Sequence, residues 1–261
     1  MDLRLAGARA VVTGGSQGIG LAVARGLVME GARVAVVARD EERLRAAAAG
    51  LGPEVLAVPA DTTDDAAVRA MVEEVVDAWG GVDVLVNAAA QPAGGSVPAL
   101  EDLTDAEVDA DFDTKVLGYL RCARAVAPHM TAQGYGRIVN ISGLNARRTG
   151  SIAGSIRNIA VAALTANLAD ELGPSGVGVT VVHPGMVETE RTPRLVADRA
   201  AATGRTEEAV RADLAAGSSL RRLVTAEEVA DVVVFLCSPR AVAVTGDAVG
   251  AGGGNRGAIH Y

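Results

Sequence analysis

One segment restricts this chain more than any other: Thr13-Gly14-Gly15-Ser16-Gln17-Gly18-Ile19-Gly20, which follows the strand-like run Ala10-Val11-Val12-Thr13 and opens a helical pattern over residues 19–30. Glycines at these spacings permit positive φ and close backbone approach, and the start of a helix presents unpaired N–H groups and the positive end of its dipole to an anion. Strand, glycine turn and helix in that order predict a phosphate-binding helix N-terminus at the end of a buried parallel strand. Gly14, Ser16, Gln17, Gly18, Ile19 and Gly20 are its expected phosphate-side residues. An ordinary tight turn is the bland alternative. The same residues also spell Gly14-Gly15-Ser16-Gln17-Gly18, the G-x-S-x-G pattern of an α/β-hydrolase nucleophile elbow. Against that remote reading, the serine precedes every later strand and no HGGG-type oxyanion loop follows.

The rest of the chain repeats the same unit. Val34-Ala35-Val36-Val37, Val55-Leu56-Ala57-Val58, Val82-Asp83-Val84-Leu85-Val86, Ile138-Val139-Asn140-Ile141 and Val179-Thr180-Val181-Val182 are short apolar runs of the kind that form parallel strands buried on both faces. Amphipathic or Ala-rich stretches at 66–79, 107–130 and 159–172 separate them. This βα repetition predicts one α/β domain over residues 1–261, a doubly wound parallel sheet of about seven strands with helices on both faces. Residues 227–237 are the expected last helix and 243–249 the expected seventh strand. Residues 190–217, rich in Arg, Ala and acids, read as a helical lid over a ligand, with a surface insertion as the alternative.

Composition narrows the partners. Nearly half the residues (49%) are hydrophobic but only 2% are aromatic, so the core must be built from Ala, Val and Leu. A net charge of −8 with no basic stripe argues against nucleic acid. The first residues, Met1-Asp2-Leu3-Arg4, lack a signal-peptide pattern and no unbroken apolar run reaches about 18 residues, so a soluble, cytoplasmic protein without membrane contact is expected. Cys122 and Cys237 lie far apart in helical patterns and read as reduced, buried thiols. His129, His183 and His260 lack metal-ligand spacing, and no metal is expected.

After the second strand comes Ala38-Arg39-Asp40, where folds of this kind place an acid for the ribose hydroxyls or an Arg for a 2′-phosphate. Ala38 can bind neither. The planar fork of Arg39 can pair with phosphate, which points to NADP(H), with NAD(H) as the alternative.

With these residues in hand, the chain resembles the short-chain dehydrogenase/reductase family over essentially its full length. Thr13 to Gly20 is similar to the family's TGxxxGxG turn, and Asp61-Thr62 to its adenine-contacting pair. Leu85-Val86-Asn87-Ala88-Ala89-Ala90 falls where the family has LVNNAG. Pro184-Gly185-Met186-Val187-Glu188-Thr189 resembles its PG-x-x-x-T segment. The resemblance implies a Rossmann-type domain and adds Asp61, Thr62, Asn87, Ala88, Ala89, Pro184, Gly185, Val187 and Thr189 to the cofactor residues. It also implies a small-molecule substrate and a homo-oligomer, a dimer or more usually a tetramer, assembled through the helices at 107–130 and 159–172.

The family's proton transfer normally uses a Tyr, a Lys four residues later on the same helix face, a Ser and an Asn; the ammonium stabilises the phenolate. Aligning Asn158-Ile159-Ala160-Val161-Ala162-Ala163-Leu164-Thr165 with the family's KAAVAALT puts Gly154 at the Tyr position and Asn158 at the Lys position. Gly143 falls at the Ser position and Lys115 at the Asn position. The resemblance thus implies a divergent member without the usual Ser/Tyr/Lys set. Lys115, as an oxyanion stabiliser or base, and Ser142, re-aimed by a shorter following loop, are the candidate catalytic residues. An exposed helix lysine and a strand-end hydroxyl are their plain alternatives. Arg147, Arg148 and Arg157 are expected to bind an anionic substrate or to pair with acids at a subunit interface, and His183 to be a packed histidine. The function these readings imply is an NADP(H)-dependent oxidoreductase acting on a small carbonyl or alcohol. Two alternatives stay open: non-redox chemistry (lyase, dehydratase or isomerase) on the same fold, and a non-catalytic subunit.

Overall fold

Seven short apolar strands line up in parallel in the computed structural model, which describes residues 1–90 and 97–256; His260 lies outside them. The strands are β1 (Arg9–Thr13), β2 (Arg33–Ala38), β3 (Leu56–Pro59), β4 (Val84–Asn87), β5 (Gly136–Ile141), β6 (Val177–Pro184) and, after a separate β7 (Val187–Glu188) and β8 (Val224–Thr225) pair, β9 (Ala248–Ala251). Their order in the sheet is β3-β2-β1-β4-β5-β6-β9. The expected doubly wound sheet is present. Its last strand begins later than the expected 243–249, because Thr245 and Gly246 turn the chain before it pairs with β6.

Period-two alternation sorts the side chains onto the two faces. Val12, Val34, Val36, Val84 and Val86 pack with helix α1 (Gly18–Met29) and the last helix, α9 (Ala226–Cys237). Val11, Ala35, Val37, Leu85 and Ile138 face α3 (Asp65–Trp79) and α5 (Gly118–Gln133). Each fully buried Val or Leu contributes about 1.5–3 kcal/mol. With so few aromatics, close approach replaces bulk: a Cβ on Gly26 of α1 would stand 2.9 Å from Val234 of α9. Cys122 and Cys237 are free and buried in these layers, and burial pushes the Cys122 thiol up to about 12.

Strand order reverses at β1, whose neighbours are β2 and β4, so successive connections run in opposite directions and leave a crevice at the C-terminal ends of β1 and β4. Buried polar groups hold that edge together. Asn87 Nδ2 at the end of β4 donates to Asn140 Oδ1 of β5 (2.9 Å), and Asn140 Nδ2 donates to Thr165 Oγ1 of helix α6 (2.9 Å).

Two helices differ from their sequence outlines in ways that shape the crevice. The expected 107–130 helix is α4 (Asp105–Phe112), capped by a Thr104–Glu107 box, then one π-helical turn (Asp113–Leu117), then α5. The expected 159–172 helix, α6, starts seven residues earlier, at Ile152 (Ile152–Leu172), because the Ser151 hydroxyl accepts from Gly154 N and caps it. With its short extension, α6 (Ile152–Ser175) has a mean hydropathy of 1.3 and is apolar enough, by length and composition alone, to cross a membrane. In the fold its Gly154, Asn158, Val161, Thr165, Ala169 and Leu172 face the protein. Between β7 and β8 lie two further helices, α7 (Thr192–Thr203) and α8 (Glu207–Ala216). Helix α2 (Glu41–Leu51) follows β2.

Candidate functional site

The crevice is a cleft of about 420 Å³, lined at one end by the glycine turn and at the other by the end of β5 and the π-helical turn. The turn has this shape because only glycine fits it. Gly14 and Gly18 hold φ of +66° and +55°, and a Cβ on Gly20 would lie 2.3 Å from the Gly14 carbonyl oxygen. A Cβ on Gly14 would stand 2.7 Å from the Ala88 carbonyl oxygen. Buried Thr13 fixes the opposite wall, its hydroxyl accepting from Ala88 N (3.2 Å) and Ala89 N (3.3 Å). At the helix start, Gln17 provides no side-chain cap for α1, whereas Asp40, Asp64 and Thr225 cap α2, α3 and α9. The first-turn N–H groups of α1 therefore have no side-chain partner in the cap, as an anion site requires.

Of the residues expected from sequence, Gly14, Ser16, Gln17, Gly18, Ile19, Gly20, Arg39, Asp61, Thr62, Ala88, Ala89, Thr189, Lys115 and Ser142 all line this one cleft. Asn87, Pro184, Gly185 and Val187 do not line it. Asn87 turns its Nδ2 to Asn140, leaving its buried Oδ1 without a hydrogen-bond partner, and Pro184 closes β6 beside β9. Arg43, Tyr119 and Arg191 also line the cleft, although none stands out in the sequence as a site residue. Arg39 Nη1 stands 3.8 Å from Asp61 Oδ2, and Arg43 Nη1 donates to Gln17 Oε1 at 3.0 Å, so two guanidinium groups sit beside the turn. The place of Arg43 in the first turn of α2, just after Arg39-Asp40, is the signal that could have found it.

Lys115 defines the other end. It is the only lysine in the chain, against 23 arginines. The π-helical turn inserts one extra residue and buries Thr114, Lys115 and Val116, a local geometry common at functional positions. Lys115 Nζ donates to the Ser142 carbonyl oxygen at 3.0 Å. Burial above all, and the Arg157 charge after it, bring the ammonium down to about 7, with Asp111 opposing. Lys115 is therefore not the exposed helix lysine of the plain alternative.

Ser142 ties three elements together. Its N–H donates to Val182 O of β6 (2.8 Å), its carbonyl accepts from Lys115, and its hydroxyl donates to Asn158 O of α6 (3.1 Å). One turn after Lys115, the fully buried Tyr119 donates its hydroxyl to Ile141 O (2.9 Å), and burial drives that phenol well above its usual range. Gly154 and Gly143 are occupied space: a Cβ on Gly154 would meet Ser151 Oγ at 2.8 Å and Asn145 Nδ2 at 3.1 Å, and one on Gly143 would meet Asn158 Nδ2 at 2.9 Å. Arg157 pairs with Asp111 inside the chain, Arg147 donates to Ala248 O (3.0 Å) and Arg148 to Asn145 Oδ1 (3.3 Å). His183 is buried in β6. No group of three or more His, Cys, Asp or Glu side chains among the described residues is placed to hold a metal ion.

The family model described as short chain dehydrogenase matches residues 8–200. Among curated proteins, the chain is 37% identical over 249 residues to the short-chain reductase protein NovJ of Streptomyces niveus, covering 94% of this chain and 92% of that one. It is 38% identical over 253 residues to a putative ketoacyl reductase of the monensin polyketide synthase of Streptomyces virginiae, covering 94% and 95%. Among solved structures, L-sorbose reductase from Gluconobacter frateurii, complexed with NADPH and L-sorbose, superposes with a TM-score of 0.91 at 30% identity, covering 99% of this chain and 100% of that one. The chain belongs to the short-chain dehydrogenase family.

The Lys115 environment has a direct consequence for stability. Held down to about 7, the Lys115 ammonium lies below the ordinary lysine value of 10.5, so between those values the folded protein binds fewer protons than the unfolded chain and its stability rises with pH. Below about 7 the cost of burying the charge is fully present. Replacing Lys115 with Met should raise the unfolding free energy by about 2–4 kcal/mol at pH 6, the gain shrinking toward pH 10. Urea unfolding of both proteins across that range checks this, and a gain that is absent or independent of pH contradicts it.

Proposed function

Proceeding from membership in the short-chain dehydrogenase family, we propose that this protein is an NADP(H)-dependent reductase of a small carbonyl compound, with Lys115 in place of the family's usual proton-transfer residues. The observation that carries the reading is the burial of the chain's only lysine in the wall of the same cleft as the glycine turn. The turn fits a dinucleotide: the Gly14 and Gly20 positions admit no side chain, the first turn of α1 has no side-chain cap, and Arg39 and Arg43 offer two guanidiniums for a 2′-phosphate. Such a cofactor supplies the hydride when bound.

The chain's own residues supply the rest. Lys115 Nζ, near half-protonation at neutral pH, can give a proton to a carbonyl oxygen or hold the developing oxyanion, and an operating pH close to a group's pKa favours such transfer. The Ser142 carbonyl aims Nζ, and the Ser142 hydroxyl, engaged with Asn158 O, serves to hold the strand end. Tyr119 pins Ile141 in the same way. The usual Ser, Tyr and Lys are absent from this reading, with Gly143, Gly154 and Asn158 in their positions. In this reading the segment 190–217 acts as a lid, and the pairing of Arg211 of α8 with Glu188 of β7 (3.0 Å) ties it to the strand at its base. A homo-oligomer also belongs to this reading: Ile152, Ile156 and Ile159 leave an apolar stripe on α6. Sedimentation showing only monomer at micromolar concentration contradicts that part.

Incubating the protein with NADPH and a panel of small ketones and aldehydes should consume the 340 nm absorbance. The Ala38→Asp/Arg39→Leu variant should lose NADPH preference by about 10-fold or more and gain NADH binding. Product formed without absorbance loss, or binding without turnover across the whole panel, contradicts the reductase reading. Unchanged preference contradicts the role of Arg39.

A further inference from the structure

The chain that leaves β7 brings a negative charge to the end of the cleft that suits an anion. Helix α1 begins at Gly18 without a side-chain cap, and Gly18 holds a φ of +55°. A Cβ on Gly18 would meet Thr189 Cγ2 and Glu190 Oε1, each at 3.9 Å. The Glu190 carboxylate therefore stands against the first residue of α1, in the wall of the cleft that Arg39 and Arg43 also line. Nothing local requires an acid there. Thr189 N donates to Thr192 Oγ1 (2.9 Å), that hydroxyl donates to Val187 O (3.2 Å), and Arg191 N donates to Thr189 Oγ1 (3.4 Å), which closes the turn. Among the described residues Glu190 forms no ion pair, and Arg211 of α8 is taken by Glu188. Glu190 also lines a second hollow of about 340 Å³, together with Leu21, Arg25, Glu188 and Glu227. Its exposed side chain thus stands where the two spaces meet and has room to leave the cleft.

We propose that Glu190 is an opposing charge at the phosphate end of the cleft: its carboxylate competes with a bound diphosphate for the N-terminus of α1, weakens cofactor binding, and withdraws toward the second hollow when the diphosphate enters. This deepens the cofactor half of the reductase reading and rests on it. A carboxylate and a phosphate are both favoured by the positive end of a helix, so the two exclude each other at one such end. The α1 N–H groups and the Arg39 and Arg43 guanidiniums attract the ligand, while Glu190 repels it from the segment after β7. At a solvent-exposed site, like charges about 5 Å apart change a binding constant by several-fold, and salt screens the effect. A reductase exchanges its cofactor at every turnover, and release of product or cofactor limits many such cycles. A repelling group beside the diphosphate speeds that release as it loosens binding.

Glu190→Gln removes the charge and keeps the size of the side chain. In titrations at low ionic strength, NADPH should bind about 5-fold more tightly to Glu190→Gln than to the unaltered protein, and the gain should fall below about 2-fold in about 0.5 M salt. Glu227→Gln changes the net charge by the same amount but lines only the second hollow, and should leave the dissociation constant within about 2-fold. Binding by Glu190→Gln that is unchanged or weaker, a gain that salt does not reduce, or an equal gain in Glu227→Gln overturns the role of Glu190. If the unaltered protein binds no NADPH, the cofactor reading fails by itself, and inorganic pyrophosphate followed by calorimetry takes its place. Tighter pyrophosphate binding by Glu190→Gln then supports the opposing charge, whereas equal binding, or none to either protein, overturns it.

Discussion

Close backbone approach at one edge of the sheet is the constraint on which the rest of this structure depends. The Gly14 Cα comes so near the Ala88 carbonyl, and Gly20 so near Gly14, that no side chain fits at either place. The strand order reverses beside that contact, so the crevice is generated by topology and then narrowed by glycine. Thr13, buried and bonded to the N–H groups of Ala88 and Ala89, keeps the two walls in register. The Asn87, Asn140 and Thr165 chain carries the same alignment across β4 and β5 to α6. At the far end of the cleft, Ser142 directly follows buried β5, and Lys115 on its helical turn is held to it by the bond from Nζ to the Ser142 carbonyl.

Lys115 sets the opposite tension. A sheet built from Val and Ala gains stability wherever it buries an apolar group, and a lone buried lysine works against that gain. The structure accommodates it with one hydrogen bond to a strand-end carbonyl and with charges arranged nearby. Sites that cost stability without contributing packing are where function concentrates. The π-helical turn belongs to the same trade: without the extra residue between α4 and α5, the periodicity of the helix would aim Lys115 elsewhere.

The strands were legible because buried parallel strands are written as Val-rich runs, and six of seven were outlined to within two residues. The seventh was displaced because Thr245-Gly246 reads as part of an apolar run but bends. The start of α6 was hidden by Ser151-Ile152-Ala153-Gly154-Ser155, where small and polar residues mask the helical period and only the Ser151 cap declares the helix. The glycine-turn end of the cleft was legible for the same reason as the fold, since glycine spacing is local. The direction of Lys115 was not, because Phe112, Val116 and Leu120 fit an ordinary helix and give no sign of a π turn. A count would have helped, since Lys115 is the one lysine among 24 Lys and Arg residues. The Arg157–Asp111 pair joins residues 46 apart and left no local signature.

The central claim is that Lys115 moves the proton in an NADPH-dependent reduction. Measuring kcat/KM of Lys115→Met with a turned-over carbonyl compound, alongside its NADPH dissociation constant, tests it most directly. The account predicts a loss of about 10²- to 10⁴-fold in kcat/KM with NADPH binding within a factor of about three of the unaltered protein. A variant that reduces the carbonyl as fast as the unaltered protein would contradict it.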